Sequence, residues 1–171
     1  MLNKKKNNVI ENIVLAGLIA AFYAALTYIS AALGIAYGPV QFRLSEALMC
    51  LALLSPSATV GLMVGCVLGN ITSPLGLIDI FLGATATLIA AVIIRLISKL
   101  NWKFDFLTVP FITAIANGII VGLEITFFLP EGFSFAGFLL NGGYVAIGEF
   151  AVVSILGIPL TFVLRKYKKA L

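Results

Sequence analysis

The chain has 171 residues, of which 61% are hydrophobic and only 11% are charged, and its net charge is +4. Soluble domains carry about 25% charged residues, so this composition excludes an ordinary soluble domain and indicates that lipid is the main solvent. A helix needs about 20 apolar residues to cross a bilayer, so the length allows roughly five to seven spans, and the alternating segments of a β-barrel are absent.

Apolar runs separated by turn-forming residues predict six helices within a single domain, residues 1–171. The predicted helices are residues 10–33, 44–54, 57–70, 75–97, 106–129 and 144–164. Glycine, proline and serine mark the breaks, notably at residues 34–39, around Pro56 and at residues 72–76. Residues 133–143 are predicted to form an apolar loop that lies on or dips into the membrane. The second and third helices are too short to span the bilayer fully by themselves.

The basic residues predict how the helices are oriented in the membrane. Most of them fall into three clusters outside the apolar runs, at residues 4–6, 95–103 and 165–169. With six spans these clusters lie on the same side, which the positive-inside rule assigns to the cytoplasm. The sequence therefore predicts an all-α polytopic membrane protein with both termini in the cytoplasm. Trp102, the only tryptophan, lies in one of these clusters at a depth that suits the membrane interface.

Five ionisable residues remain inside or at the ends of the apolar segments: Arg43, Glu46, Asp79, Glu124 and Glu149. Each is costly, since insertion scales give about 2.5–3.5 kcal/mol for Asp, Lys or Arg at a helix centre. At about 1.5 Å per residue, all five lie within roughly 10 Å of the predicted outer interface. This one-sided acidic layer predicts a ligand-binding site at the outer face.

Polar residues at similar depths extend the candidate site. The candidate ligand-binding residues are Gln41, Arg43, Glu46, Asn70, Asp79, Asn117, Glu124, Tyr144 and Glu149, with Thr126 and Asn141 nearby. A pocket built from these groups would be acidic and rich in hydrogen-bond acceptors. It suits a cationic ligand or one with several N–H donors, such as a guanine-type base, because a carboxylate accepts two parallel hydrogen bonds from such an edge. Tyr37, Phe42 and Tyr144 could stack on a planar ring.

Several of these residues also have structural interpretations. Arg43 and Glu46 are spaced i, i+3 and could pair with each other at the start of a helix. Asp79 could stabilise a helix N-terminus. Asn70 and Asn117 could form hydrogen bonds between helices.

The first helix carries two strips of small residues at four-residue spacing. One strip consists of Ala16, Ala20 and Ala24, and the other of Gly17, Ala21 and Ala25. Small residues at this spacing let another helix approach closely. Packing within the bundle and docking of an external protein both remain open.

The sequence lacks the motifs of an enzyme. It has no histidine, no Walker lysine motif, no glycine-rich nucleotide loop, no Cys/His metal set and no nucleophile with a histidine base. The two cysteines, Cys50 and Cys66, lie in apolar runs and are interpreted as packing residues. We therefore expect no catalysis, cofactor, resident metal or nucleic-acid partner, and any ATP-driven step must come from another subunit.

Two segments resemble signatures of the QueT family, the substrate-binding S components of energy-coupling factor (ECF) transporters assigned to queuosine precursors. They are Tyr-Gly-Pro-Val-Gln-Phe-Arg-Leu-Ser-Glu-Ala-Leu at residues 37–48 and Asn-Ile-Thr-Ser-Pro-Leu-Gly-Leu-Ile-Asp-Ile at residues 70–80. The likeness extends over nearly the whole chain and includes its length, its six-helix layout and the small-residue strip of the first helix.

The resemblance implies the six-helix S-component bundle in a bacterial cytoplasmic membrane. It implies a 7-deazaguanine ligand, such as the 7-cyano or 7-aminomethyl precursor, or queuine itself. It also implies that Ala16, Ala20 and Ala24 dock on a transmembrane coupling subunit energised by two cytoplasmic ATPases. The acidic layer by itself leaves open an S component for another vitamin or a cation, and a stand-alone proton-coupled carrier.

Overall fold

The chain is built from helices in a computed structural model that describes residues 2–38, 40–128, 130 and 132–168, with the backbone alone for residues 2–8 and 168. Its α-helices are α1 (Leu2–Ala32), α2 (Pro56–Gly69), α3 (Leu77–Ser98), α4 (Thr108–Phe128), α5 (Phe135–Val152) and α6 (Ile158–Lys168). The 3₁₀ helices Leu44–Leu53, Asn70–Thr72 and Asp105–Leu107 and the π-helix Val153–Gly157 complete the fold. These ranges contain no strand, so the all-α prediction is confirmed. Four residues of the predicted features lie outside the described residues. They are Pro39 and Glu131 of predicted loops, Leu129 at a predicted helix end and Lys169 of a basic cluster.

The second predicted helix forms a 3₁₀ helix, Leu44–Leu53, instead of an α-helix. A 3₁₀ helix rises about 2.0 Å per residue and an α-helix about 1.5 Å. Ten residues therefore extend about 20 Å, close to the roughly 21 Å of the 14 residues of α2. The two elements, which contact each other, are therefore similar in length although their residue counts differ.

The predicted apolar loop at residues 133–143 is wrong, because α5 begins at Phe135. Ser134 caps this helix, and its side chain accepts a hydrogen bond from the backbone N–H of Gly137 at 3.0 Å. Such a cap satisfies one of the free N–H groups of the first turn. The π-helix then joins α5 to α6, so the apolar helix runs on to Tyr167.

Four helical segments of the described residues are long and apolar enough to cross a membrane: Val9–Ala32, Leu77–Ser98, Asp105–Phe128 and Phe135–Tyr167. Two apolar segments, Leu44–Leu53 and Pro56–Thr72, are shorter. Large hydrophobic side chains cover the outward faces, and Leu77 and Phe81 are each 72% exposed. Contiguous apolar surface of this kind is suited to lipid. The chain is therefore a multi-pass membrane protein.

Helices α1 and α2 approach closely because glycine recurs every four residues along α2, at Gly61, Gly65 and Gly69. A Cβ atom on Gly61 would lie 2.6 Å from the carbonyl oxygen of Ala16, and one on Gly65 would lie 2.6 Å from the Cβ of Tyr23. These distances are too short for any residue with a side chain unless the helices move apart. Glycine thus fixes the spacing of this pair, as small residues do at helix contacts in membranes.

This contact corrects the predicted docking strip on α1. Ala20 and Ala24 are 4% and 7% exposed, and the strip that they form with Ala16 faces α2 of the same chain. It is a packing surface within the bundle, not an outward surface for a partner. The other small-residue strip is the exposed one, and it consists of Gly17, Ala21 and Ala25.

A second glycine contact joins α4 to α5. A Cβ atom on Gly122 would lie 2.5 Å from the Cα of Gly142, and one on Gly142 would lie 2.6 Å from the carbonyl oxygen of Gly118. The close approach brings the Asn141 Nδ2 within 3.1 Å of the Thr126 Oγ1, to which it donates a hydrogen bond. Close backbone contact at these glycines therefore sets the position of α5 against the part of α4 that contains Thr126.

The loops gather at two ends of the bundle. Residues 33–43, residues 70–76 and the end of α4 meet at one end, which we call the site end. The turn at Leu54, residues 99–105 and Arg165 meet at the other, which we call the basic end. The apolar core, with Tyr23, Met49 and Leu62 among its largest members, lies between the two.

Candidate ligand-binding site

A cavity of about 310 Å³ opens at the site end. It is lined by Tyr37, Gly38, Gln41, Ser73, Pro74, Leu75, Asp79, Ile125, Phe128 and Asn141. Ligand pockets in proteins begin at about 300 Å³, so the space suits a small molecule. The lining combines aromatic and aliphatic side chains with a few polar groups, which is the usual composition of a small-molecule site.

Arg43 and Asp79 form a buried ion pair at the edge of this cavity. The Arg43 Nη2 lies 3.4 Å from the Asp79 Oδ2, and the two side chains are 3% and 4% exposed. The Arg43 Nε donates a hydrogen bond to the carbonyl oxygen of Ala36 at 3.3 Å, and its guanidinium lies over the Tyr37 ring. The proposed local pairing of Arg43 with Glu46 is therefore wrong. Asp79 does lie in the first turn of α3.

Asn70 holds the other side of Asp79. Its Nδ2 donates to the backbone carbonyl oxygen of Asp79 at 2.9 Å and contacts the Asp79 Oδ1 at 3.4 Å. A Cβ atom on Gly83, one turn further along α3, would lie only 2.4 Å from the Asn70 Nδ2. Because Gly83 has no side chain, the Asn70 side chain can occupy the space beside it and reach Asp79.

Substitution of Gly83 by alanine is expected to disturb this arrangement. The added methyl group must displace Asn70, and overpacking of this kind costs about 1–3 kcal/mol. We expect a lower melting temperature in detergent and weaker ligand binding. Gly143→Ala is the matched control, since nothing lies within 4 Å of a Cβ atom there and alanine favours the helix. Equal melting temperatures for the two variants would contradict the packing argument.

Glu46 is buried but turned toward α1. Its side chain is 1% exposed, and its Oε1 accepts a hydrogen bond from the hydroxyl of the fully buried Tyr23. Its Oε2 has no hydrogen-bond partner among the described residues, and Glu46 does not line the cavity. Sequence reasoning missed Tyr23; the available signal was a tyrosine on the face of α1 that also carries Ala16 and Ala20.

Glu124 and Glu149 are the least satisfied groups near the cavity. Both are 1% exposed. Within the described part of the chain, neither Glu124 oxygen has a hydrogen-bond partner, nor has the Glu149 Oε2. Neither residue is among those that line the cavity, but Glu124 directly precedes Ile125, which does line it. Glu149 follows Gly148, where a Cβ atom would lie 2.1 Å from the Gln41 carbonyl oxygen, so α5 is pressed against the loop that lines the cavity.

The charges of this cluster do not balance. Arg43 interacts electrostatically with Asp79, Glu46, Glu124 and Glu149. One guanidinium is therefore shared among four carboxyl groups, and among the described residues it forms an ion pair only with Asp79. A buried carboxyl group without a partner is costly. The cluster has unused capacity to accept hydrogen bonds, and this favours a ligand that donates them.

The remaining predicted residues divide between the cavity and its surroundings. Gln41 lines the cavity and is 5% exposed. Asn117 is buried, and its Nδ2 has no partner among the described residues; it lies two turns deeper than Glu124 on the same face of α4. Tyr144 does not line the cavity, and its side chain is 39% exposed on the outside of α5.

Comparison with known proteins gives the chain its family. The sequence model described as QueT transporter matches residues 13–166. The chain belongs to the QueT transporter family. It is also 29% identical over 151 residues to the queuosine precursor transporter QueT of Lactococcus lactis subsp. cremoris (strain MG1363), covering 82% of this chain and 84% of that protein. No solved structure gives a significant match.

Membership in the QueT transporter family confirms the resemblance and makes the chain a transport protein, not an enzyme. The two signature segments, residues 37–48 and 70–80, meet at the cavity. Arg43 of the first contacts Asp79 of the second, and the Tyr37 hydroxyl contacts the Thr72 Oγ1 at 3.4 Å. The segments that carry the family likeness thus build one side of the same cavity.

Proposed function

We propose that the chain is the S component of an ECF-type importer and captures a queuosine precursor, a 7-deazaguanine, at its outer face. The observation that carries this proposal is the buried carboxylate cluster beside a cavity of about 310 Å³. Within that cluster, both oxygens of Glu124 lack a partner among the described residues. The name of the Lactococcus lactis relative, a queuosine precursor transporter, supports the choice of ligand class.

The chemistry of a 7-deazaguanine matches this cluster. Its N1–H and exocyclic amine form an edge of two parallel donors, which a carboxylate accepts through two hydrogen bonds. We assign this edge to Glu124, and Glu149 is the neighbouring carboxylate that would accept from a cationic aminomethyl group. Apolar contact with the ring would come from Tyr37, Ile125 and Phe128, which line the cavity. The Arg43–Asp79 pair fixes the wall of the site.

The orientation follows from the two ends of the bundle. Arg95, Lys99 and Arg165 all line the cavity at the basic end, whereas Arg43 at the site end is buried against Asp79. Under the positive-inside rule the basic end faces the cytoplasm, so the site end opens to the outside. In this arrangement all six helices cross or enter the membrane, and both termini lie in the cytoplasm of a bacterium.

Transport would need other subunits. No nucleotide-binding motif occurs in the sequence, so two cytoplasmic ATPases acting through a transmembrane coupling subunit would supply the energy. Since Ala20 and Ala24 are buried under α2, we assign the docking surface to the exposed strip of Gly17, Ala21 and Ala25. Small side chains there would let a helix of the coupling subunit approach α1 closely.

A stand-alone proton-coupled carrier is the second candidate, because buried carboxyl groups without partners also serve as proton relays in membranes. A cation-binding S component is less well supported. The described residues contain no group of three or more His, Cys, Asp or Glu side chains placed to hold a metal ion.

A thermal-shift panel on the purified chain separates these candidates. We expect 7-aminomethyl- or 7-cyano-7-deazaguanine to raise the melting temperature, and divalent cations or unrelated vitamins to leave it unchanged. Stabilisation by a ligand grows with its concentration over Kd, by about 2.7 kcal/mol at 100 times Kd. Uptake of the precursor by liposomes that contain the chain alone, without ATPases, would instead support the carrier.

A further inference from the structure

A second cavity, of about 520 Å³, lies at the basic end. It is bounded by the turn after the 3₁₀ helix, the end of α3, the following loop and α6. Its lining residues are Leu53, Leu54, Arg95, Ser98, Lys99, Asn101, Asp105 and Arg165. The uptake of a ligand at the site end makes no use of this cavity.

The lining carries an excess of positive charge, with three cationic side chains and one carboxylate. The Arg165 Nη2 lies 2.5 Å from the Asp105 Oδ1. The Arg95 Nη1 donates to the Leu53 carbonyl oxygen at 3.3 Å and to the Ser98 Oγ at 3.2 Å. The side chain of Lys99 is exposed, and its ammonium group has no hydrogen-bond or ion-pair partner in the described part of the chain. One ion pair thus leaves two cations unneutralised.

The helix dipole of α3 accounts for only part of this excess. Arg95 lies in its last turn and Lys99 is its C-cap. Both therefore complement the partial negative charge of the helix end, which amounts to about half an elementary charge. A concave site with net positive charge remains. Arginine and lysine N–H groups that converge in such a site are suited to phosphate oxygens.

The neighbouring loop places this cavity at the membrane surface. Trp102 is 52% exposed, Phe104 is 47% exposed and Leu100 is 74% exposed. The rings of Trp102 and Phe104 meet edge to face, with centroids 6.3 Å apart. Exposed aromatic side chains beside basic ones are typical of the headgroup level of a bilayer. A phosphate that reaches the cavity at this depth is most readily that of a lipid.

We propose that the cavity at the basic end binds the phosphate headgroup of an anionic phospholipid. Arg95 and Lys99 donate to the phosphate oxygens, and Arg165 contributes positive charge while it pairs with Asp105. The acyl chains run along the exposed apolar surface beside Leu100. Basic pockets between transmembrane helices bind lipid headgroups in this way. The lipid would tie the end of α3 to α6 at the surface.

Trp102, the only tryptophan of the chain, lies beside the cavity and reports on its lipids. The experiment reconstitutes the full chain in vesicles of phosphatidylcholine and phosphatidylglycerol, with bromine on the acyl chains of one lipid at a time, and measures quenching of Trp102 fluorescence. At equal mole fraction we expect brominated phosphatidylglycerol to quench more strongly. Lys99→Gln is expected to lower this preference by about five-fold.

Lys103→Gln is the matched control. It removes the same charge from the same loop, but Lys103 lies 5.8 Å from the Phe104 ring centroid and does not line the cavity. We expect the control to retain the preference within about two-fold, since surface charge is screened by salt. An equal loss in both variants would show general surface attraction and overturn the site. Loss of the preference on adding glycerol 3-phosphate would overturn the lipid assignment in favour of a soluble phosphate.

Discussion

Substitution of Glu124 by glutamine is expected to weaken binding of a 7-deazaguanine by at least about 100-fold, because the variant loses two charge-assisted hydrogen bonds worth about 1.5–3 kcal/mol each. The shape of the side chain is retained. Since neither oxygen of Glu124 has a partner among the described residues, no contact within the fold is broken. The melting temperature of the ligand-free protein is therefore expected to stay the same or to rise. Titration calorimetry and thermal unfolding measure the two effects.

Glu46→Gln is the matched control for this prediction. Glu46 is equally buried, but it accepts a hydrogen bond from Tyr23, whereas neither oxygen of Glu124 has a partner among the described residues and Glu124 is the sequence neighbour of Ile125, which lines the cavity. We expect this variant to lower the melting temperature while the affinity changes little. Affinity that is lost at Glu46 and retained at Glu124 would place the ligand toward α1 and contradict the assignment.

Breaking the Arg43–Asp79 pair is expected to have the largest effect on stability. Removing one partner of a buried ion pair typically costs about 3–5 kcal/mol, because the other charge is left uncompensated. We expect Arg43→Met and Asp79→Asn each to lower the unfolding midpoint strongly. The double variant should recover most of the loss, since neither member of the pair is then left without the other, yet it should bind ligand poorly because Asp79 lines the cavity.

Arg165→Gln at the basic end serves as the comparison. Its side chain is 31% exposed, and pairs that solvent screens contribute about 0–1 kcal/mol. A clearly smaller loss of stability is therefore expected. Strictly additive effects of Arg43→Met and Asp79→Asn in the double-mutant cycle would contradict a direct interaction between the two side chains.

The sequence predicted the helices and the acidic layer because both rest on local physics. Long apolar runs must be helical in lipid, and ionisable residues within them stand out by their cost. The structure brings Asp79 and Gln41 to the cavity lining. Glu124 is the sequence neighbour of Ile125, which also lines the cavity. The pairing of Arg43 with Asp79 could not be predicted, since the two lie 36 residues apart and the i, i+3 neighbour Glu46 offered a local alternative.

Three further features of the structure do have signals in the sequence. Ser134 before an apolar run is an N-cap signal, and it predicts a helix where a loop was expected. The glycines at four-residue spacing in α2 match the spacing of Ala16, Ala20 and Ala24, and could have identified that strip as internal. Tyr144 precedes Glu149 by five residues, which separates the two by about 140° around a helix. Both could not face one cavity.

The most direct test of the carboxylate site is a comparison of two ligands on the wild-type chain. Titration calorimetry in nanodiscs would use 7-aminomethyl-7-deazaguanine and an analogue that lacks only the exocyclic 2-amine. Loss of one charge-assisted hydrogen bond is worth about 1.5–3 kcal/mol, so we predict that the analogue binds at least about 10-fold more weakly. Equal affinity for the two compounds, or binding of neither, would contradict recognition of the guanine edge by a buried carboxylate.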